Sequence, residues 1–317
     1  MSNPTLSRAV EGYLLHKSAS GRSKYTIRNY RNQLGRFCSQ LDDCPIDKVS
    51  PQDIELFLEW LRMEYRYTKV GTLAIDPRPL SAKTIRNAWA ALSNFWNWSS
   101  REFNIKNPFD IPSPKAPHTP VTPLTMEEVD LLLRACARAV NNSKRSTAKR
   151  DKAILLAFLD TGVRVSELCQ ADISNLDLES GRLFVTGKGN KSRYVYLGKV
   201  TRQALWTYLA ERYPDKEPDN SESIFTNSRG FGRLSRHNVR NLLSRIGNRA
   251  GVDKVHPHRF RHTFAIEFLR NGGDVFSLQQ LLGHSSLEMV RKYLQIAEMD
   301  LERTHRKASP ADNWRLR

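Results

Sequence analysis

Apolar residues recur along most of this chain at helical spacing. Thr5 to His16 reads as a short helix. Ser23-Lys24-Tyr25-Thr26 opens a second, with Tyr30, Leu34, Phe37 and Leu41 on one face. Ser50-Pro51-Gln52-Asp53 is a third start: serine caps, and proline takes the first helical position, where its missing N–H costs nothing. It leads into Ile54, Phe57, Leu58, Leu61 and Tyr65. A polar stretch with Gly and Pro follows, from Thr68 to Pro79. Ser81 then caps a long helix through Ile85, Trp89, Leu92, Phe95 and Trp98. This first region should hold four main helices and no strand.

The pattern breaks at Asn107 to Pro117, where four prolines in eleven residues predict an extended, semi-rigid linker. Periodicity returns at the capped start Thr125-Met126-Glu127-Glu128, which runs into Leu131-Leu132-Leu133. Asn141 to Arg150 is polar and basic and should loop out. Ala153 to Leu159 is almost wholly apolar, as a buried helix would be. Residues 173–178, 183–185 and 194–197 read as three short strands, the last two flanking the turn Gly187-Lys188-Gly189-Asn190-Lys191. Helices are expected again at 200–212 and 235–250. Pro257 starts another, ending at Gly272-Gly273, and Asp274 caps a short one that stops at Gly283. Ser285 and Glu288 would form a capping box for a helix carrying Tyr293. Met299 to Arg317 is charged and lacks a core face. The expected organisation is a helical domain over 1–106, a linker over 107–122, a second domain over 123–298 and a tail over 299–317. The fold class is mainly α, with a small three-stranded antiparallel sheet in an otherwise helical second domain.

Charge narrows the function. Fifty Lys+Arg stand against 33 Asp+Glu, a net +17, and the surplus falls in both regions. That balance points to a polyanion, nucleic acid before an anionic membrane, because no basic amphipathic anchor or lipidation motif is present. No apolar run is long enough to span a bilayer, and the start lacks a signal peptide. A cytoplasmic protein with no membrane partner is expected. Cys38, Cys44, Cys136 and Cys169 fit no common zinc spacing and read as scattered thiols in a reducing compartment.

The candidate chemistry is spread over four segments: Thr161 to Leu168 with Arg164 and Glu167, the turn with Lys188, His258-Arg259-Phe260-Arg261-His262, and Leu281-Leu282-Gly283-His284 followed by Tyr293. His258, Arg261 and His262 share one helical face. Zinc is not expected there, since Arg261 would set a cation beside the metal. A tyrosine with an ordinary pKa near 10 is a poor nucleophile unless its target is held in line and neutralised. Two arginines suit the non-bridging oxygens of a phosphodiester. Arginines in place of a metal and tyrosine in place of water form a coherent set.

In this order and spacing, these segments resemble the tyrosine recombinase, or phage integrase, family, with the Xer recombinases the nearest pattern. The resemblance runs over nearly the whole chain. It implies that Tyr293 attacks a scissile phosphate to give a 3′-phosphotyrosyl bond and a free 5′-hydroxyl. Arg164 and Arg261 would clamp the phosphate, and Lys188 would protonate the 5′-oxygen. His258 would assist proton transfer at the tyrosine and touch the phosphate, which His284 would also bind. Glu167 would orient the site; the residues themselves, apart from the resemblance, give His262 a supporting or packing role. It further implies a C-shaped clamp on duplex DNA carrying core sites, and a homo-tetramer working through a Holliday junction. Accessory proteins are conceivable partners, the tail after Tyr293 would dock on a neighbouring protomer, and no metal, ATP or other cofactor is needed. DNA contacts are expected from Lys24, Tyr25, Thr26, Lys83, Thr84, Arg86, Lys191, Arg193 and Arg259. The alternatives are a type IB topoisomerase-like relaxing enzyme and a non-catalytic DNA-binding protein.

Overall fold

The computed structural model describes residues 3–67, 75–115, 122–137, 147–187, 189, 191–214, 217–227, 232–283, 290–291, 293–294, 305 and 309–314. The chain divides into two compact units, Met1–Thr119 and Pro120–Arg317.

The first unit is built from α1 (Leu6–Ala19), α2 (Lys24–Cys38), α3 (Pro51–Met63) and α4 (Ala82–Glu102). Each of the last three starts where its cap predicts. Ser23 Oγ accepts from the Thr26 N–H at 3.2 Å and Ser81 Oγ from the Thr84 N–H at 3.2 Å. At α3, Ser50 and Asp53 close a reciprocal capping box. The starts of α2 and α4 repeat one pattern: Ser23, Thr26, Ile27, Arg28, Asn29 and Ser81, Thr84, Ile85, Arg86, Asn87. In both, the isoleucine turns toward the core and the arginine outward. The helices α1, α2 and α4 pack on one another, and α3 packs on α4, around Tyr13, Phe37, Phe95 and Trp96.

The early part of the proline-rich stretch is not free. Phe109 packs on Trp89 with ring centroids 5.5 Å apart, and Trp89 Nε1 donates to the Ile111 carbonyl at 2.9 Å. An aromatic ring and an indole N–H anchor this backbone despite its prolines.

The second unit begins with α5 (Met126–Ala137), whose start is boxed by Thr125 and Glu128, each accepting from the other's backbone N–H. Of the expected loop 141–150, residues 148–150 already belong to α6, and 141–146 lie outside the described residues. α6 (Ala148–Thr161) is the central helix, buried against α5, α8 (Lys199–Arg212) and α10 (Pro257–Arg270). Gly162 ends it with φ +58, and an added Cβ would sit 2.4 Å from Phe264 Cδ1. The short α7 (Val165–Gln170) follows. The sheet is antiparallel, β1 (Leu176–Asp177), β2 (Arg182–Thr186) and β3 (Ser192–Tyr196), in sequence order with Leu183 opposite Val195.

The first expected strand shrinks to two residues. Ile173–Asn175 is a 3₁₀ turn, because the Asn175 side chain accepts from the Asp172 N–H at 2.9 Å and the Asn175 N–H returns to the Asp172 carbonyl. α9 (Arg236–Ala250), α10 and α11 (Val275–Leu282) complete the described core, and residues 290–291 and 293–294 are helical. The expected capping box at Ser285 and Glu288 lies outside the described residues, as does most of the tail. Within the tail, Ser309 is buried and caps a four-residue helix, Pro310–Asn313. Among the described residues no helix is long and apolar enough to cross a membrane.

Candidate active site

The site grows from the end of α11. A helix leaves its last carbonyls without intrahelical partners. Here three successive carbonyls take three arginines. Arg193 Nε donates to the Leu281 carbonyl at 2.6 Å, Arg261 Nη2 to Leu282 at 2.6 Å, and Arg164 Nη2 to Gly283 at 3.2 Å. The negative end of the helix dipole favours these cations, and charge-assisted bonds of this kind are worth about 1.5–3 kcal/mol each. Gly283, at φ +62, is the turn that aims its carbonyl; a Cβ there would stand 3.0 Å from Arg193 Nη1.

A carboxylate ties two of the arginines together. Glu167 is fully buried, yet both oxygens are engaged: Oε1 by Arg164 Nη1 at 2.7 Å and Arg193 Nη1 at 3.1 Å, Oε2 by Arg193 Nη2 at 3.0 Å and the Arg164 backbone N–H at 2.8 Å. Burial pushes its carboxyl up, but the bonds from Arg193 and Arg164 outweigh that and hold it below the usual carboxylate range. Glu167 thus fixes Arg164 at the first turn of α7. Arg261, 4% exposed, also donates from Nη1 to the Gly162 carbonyl at 2.7 Å. Burial first, and Arg164 second, bring its guanidinium down to about 10, still a cation at neutral pH.

Tyr293 is 1% exposed, and its hydroxyl lies 2.8 Å from His262 Nδ1. Burial raises the phenol, and the nearby Arg261 cation pulls it back in part. His258 is exposed, and local desolvation with Arg261, His256, Arg240 and Arg164 around it lowers its imidazole. An imidazole beside Arg261 and Arg164 is placed to hydrogen-bond an anion that they hold.

The expected residues therefore meet in part. Arg164, Glu167, His258, Arg261, His262 and Tyr293 come together, and Lys188 and His284 lie outside the described residues. The histidine on the Tyr293 hydroxyl is His262, which sequence reading left as a supporting or packing residue. Two expected DNA contacts are committed elsewhere. Arg193 is spent on Glu167 and Leu281, with its side chain 13% exposed. Arg259 binds Glu128 at 2.6 Å and the carbonyls of Thr122, Pro123 and Asp253, with its side chain 11% exposed. Strand alternation held a signal for Arg193: it falls in phase with buried Val195 and Leu197. Lys24, Tyr25, Lys83, Arg86 and Lys191 are exposed. Thr26 and Thr84 are half-buried, with hydroxyls 2.8 and 2.9 Å from the serine caps. Among the described residues no cluster of three or more His, Cys, Asp or Glu is placed to hold a metal ion.

Residues 123–299 match the phage integrase family, and residues 10–102 match the phage integrase N-terminal SAM-like domain. A relative, the tyrosine recombinase XerC of Oceanobacillus iheyensis, is 32% identical over 96% of this chain and 95% of its own. Among solved structures, XerH site-specific recombinase bound to difH substrate in a pre-cleavage complex is 25% identical, with a TM-score of 0.65 over 95% of this chain and 83% of that one. The Tn1549 transposon integrase in complex with a circular intermediate DNA shares the fold, with a TM-score of 0.72 at 20% identity over 95% of this chain and all of that one. The chain belongs to the phage integrase family and is a tyrosine recombinase. These relatives leave the topoisomerase-like and non-catalytic alternatives without support.

Proposed function

We propose that this chain cuts duplex DNA at core sites and rejoins it by site-specific recombination, through a 3′-phosphotyrosyl link at Tyr293 and a Holliday junction. The observation that carries this reading is the buried cluster in which Arg164 and Arg261 are held on adjacent carbonyls with Tyr293 beside Arg261. Side chains already locked before substrate arrives need little reorganisation to stabilise a pentavalent phosphate. In this reading Arg164 and Arg261 neutralise the phosphate in place of a metal, and Glu167 orients Arg164. His258 assists proton transfer at Tyr293 and, with His284, hydrogen-bonds the phosphate oxygens, and Lys188 protonates the leaving 5′-oxygen. Neither a cofactor nor ATP is needed, because the covalent link conserves the bond energy.

Residues 1–106 serve as the core-site grip, with the repeated starts of α2 and α4 presenting Lys24, Tyr25 and Thr26, and Lys83, Thr84 and Arg86, to the backbone. Lys191 adds a contact from the hairpin. Four copies act on two synapsed sites in the cytoplasm, and the segment 299–317 links one protomer to the next. An apolar groove of about 1140 Å³, lined by Val129, Phe264, Phe268 and Leu281 among others, supports that last element as a seat for a neighbour's tail.

The test is a duplex nicked near the cleavage point, which traps the covalent intermediate, run on a denaturing gel in excess EDTA. Tyr293→Phe should bind the duplex like the wild type and form no adduct. A persistent adduct in the variant would place the nucleophile elsewhere, and loss of wild-type cleavage that magnesium restores would end the metal-free reading.

A further inference from the structure

We propose that Arg193 is a positioning residue for the general acid: it fastens the stem of the hairpin that carries Lys188 to the arginine clamp. The inference rests on reading Lys188 as the proton donor to the 5′-oxygen. Arg193 lies on β3, opposite the buried Val185 of β2. Strand alternation turns it inward, and from there its guanidinium reaches two other elements. Nη1 and Nη2 fork onto the two oxygens of Glu167 at 3.1 and 3.0 Å, and Nε donates to the Leu281 carbonyl at 2.6 Å. One side chain thereby joins β3 to the first turn of α7 and to the end of α11. A planar fork held at three nitrogens has little rotational freedom left, and an ammonium on a flexible stem cannot reproduce that grip.

The other strand of the hairpin meets the same carboxylate. The backbone of Gly187 runs so close that an added Cβ would stand 2.8 Å from Glu167 Oε1 and 3.5 Å from Arg164 Nη1. The Gly187 N–H donates to the Lys191 carbonyl at 2.8 Å, and the hydroxyls of Thr186 and Ser192 lie 2.9 Å apart, so the two strands are tied to each other at that level. Lys188 is the next residue after Gly187. The stem from which it springs is therefore set against Glu167, the group that also holds Arg164. One carboxylate is the common reference for the clamp and for the acid.

The clamp itself leans less on Arg193. Arg164 binds Glu167 through its own Nη1 at 2.7 Å and its own backbone N–H at 2.8 Å, and Arg261 is seated on Gly162 and Leu282. Losing Arg193 leaves those bonds in place and removes a charged tie of the hairpin. The step that suffers is the departure of the 5′-oxygen. As its bond to phosphorus breaks, that oxygen takes a proton from the Lys188 ammonium, which becomes a neutral amine. A displacement of about 1 Å at such a donor can cost on the order of 10²-fold.

The test compares two nicked duplexes, one ordinary and one in which sulfur replaces the bridging 5′-oxygen at the cleavage point. A thiolate, whose thiol has a pKa of about 8.5, leaves without a donor. With the full chain at saturating concentration, Arg193→Ala and Arg193→Lys should cut the ordinary duplex roughly 10²-fold more slowly in a single turnover. On the sulfur duplex at least about tenfold of that loss should return, as it should for Lys188→Ala. Added to Lys188→Ala, Arg193→Ala should slow the ordinary duplex no further, because both act at one step. Rapid cutting of the sulfur duplex also shows that a variant is folded. An equal defect on both duplexes in Arg193→Lys, an additive loss in the double variant, or wild-type cleavage of the ordinary duplex would each overturn the proposal. So would a loss confined to single-site affinity, which would return Arg193 to the DNA contacts. If Lys188→Ala itself regains nothing on sulfur, the donor is misassigned and the proposal falls with it. If Lys188→Ala regains its rate and the Arg193 variants do not, only the positioning role is wrong.

Discussion

In the first unit, rings hold the core and cations stay outside. Tyr13 meets Tyr30, Phe95 and Trp98 at centroid distances of 5.4 to 5.5 Å, and Phe37, Phe57, Trp60 and Tyr65 continue the series. Among its described residues the one ion pair is Arg78 with Asp76, at the surface. The second unit does the reverse. Arg150, Arg164, Arg193, Arg259 and Arg261 turn inward onto carboxylates and carbonyls. The same side chain is therefore put to two uses. No lysine or arginine is buried among the first unit's described residues, whereas Arg150 and Arg261 are buried in the second, and a cation that stabilises a transition state acts best when the fold has immobilised it first.

The sharpest way to break this contrast is Glu167→Ala. It leaves two arginines facing a vacated site, and should cost about 3–5 kcal/mol in urea unfolding. Cleavage should fall at least 100-fold with single-site affinity at fixed salt little changed, on the order expected for losing an oriented transition-state contact. The cost has a pH signature. Glu167 is depressed in the folded state, so its contribution is fully present above the ordinary value of about 4.3 and is lost as pH falls through the lower folded value. The gap between variant and wild type should narrow in acid; a gap constant down to pH 3 would show that packing, not charge, sets it.

A middle-sized effect belongs to the first unit. Phe95→Leu keeps an apolar body but loses ring pairs with Tyr13 and Trp96. A cost of about 1–3 kcal/mol is expected, with cleavage chemistry of bound DNA unchanged. A chemical defect equal to that of Glu167→Ala would erase the distinction between the units. Smallest is Ser99→Ala. Its hydroxyl is fully buried with no partner among the described residues, so removal should be neutral or stabilise by about 1 kcal/mol in thermal unfolding. A loss instead would reveal a partner for that hydroxyl.

Local chemistry made much of this readable in advance. Ser23, Ser50, Ser81 and Thr125 cap where sequence says they should, because capping needs only a side chain and the next three residues. Arg164 and Glu167 sit together for the same reason. Nothing local to Arg193 and Arg259 announces the partners that hold them, because those partners are distant: Leu281 lies 88 residues from Arg193, and Glu128 lies 131 from Arg259. Helical spacing likewise put His258 and His262 on one face without saying which would meet Tyr293, since that depends on how the Tyr293 helix packs. The shortened first strand failed on a competing local bond, Asn175 to Asp172, that apolar periodicity does not register.

The end of α11 has a consequence for how such a site can be switched. Its three carbonyls are rigidly joined, so a rotation or slide of that one helix withdraws the seats of Arg164, Arg193 and Arg261 in the same movement. Glu167 still holds Arg164 and Arg193, and the Gly162 carbonyl still holds Arg261, so such a movement loosens all three seats at once without freeing any of them. The Leu281 side chain also forms part of the groove wall, so whatever presses there bears on the same lever.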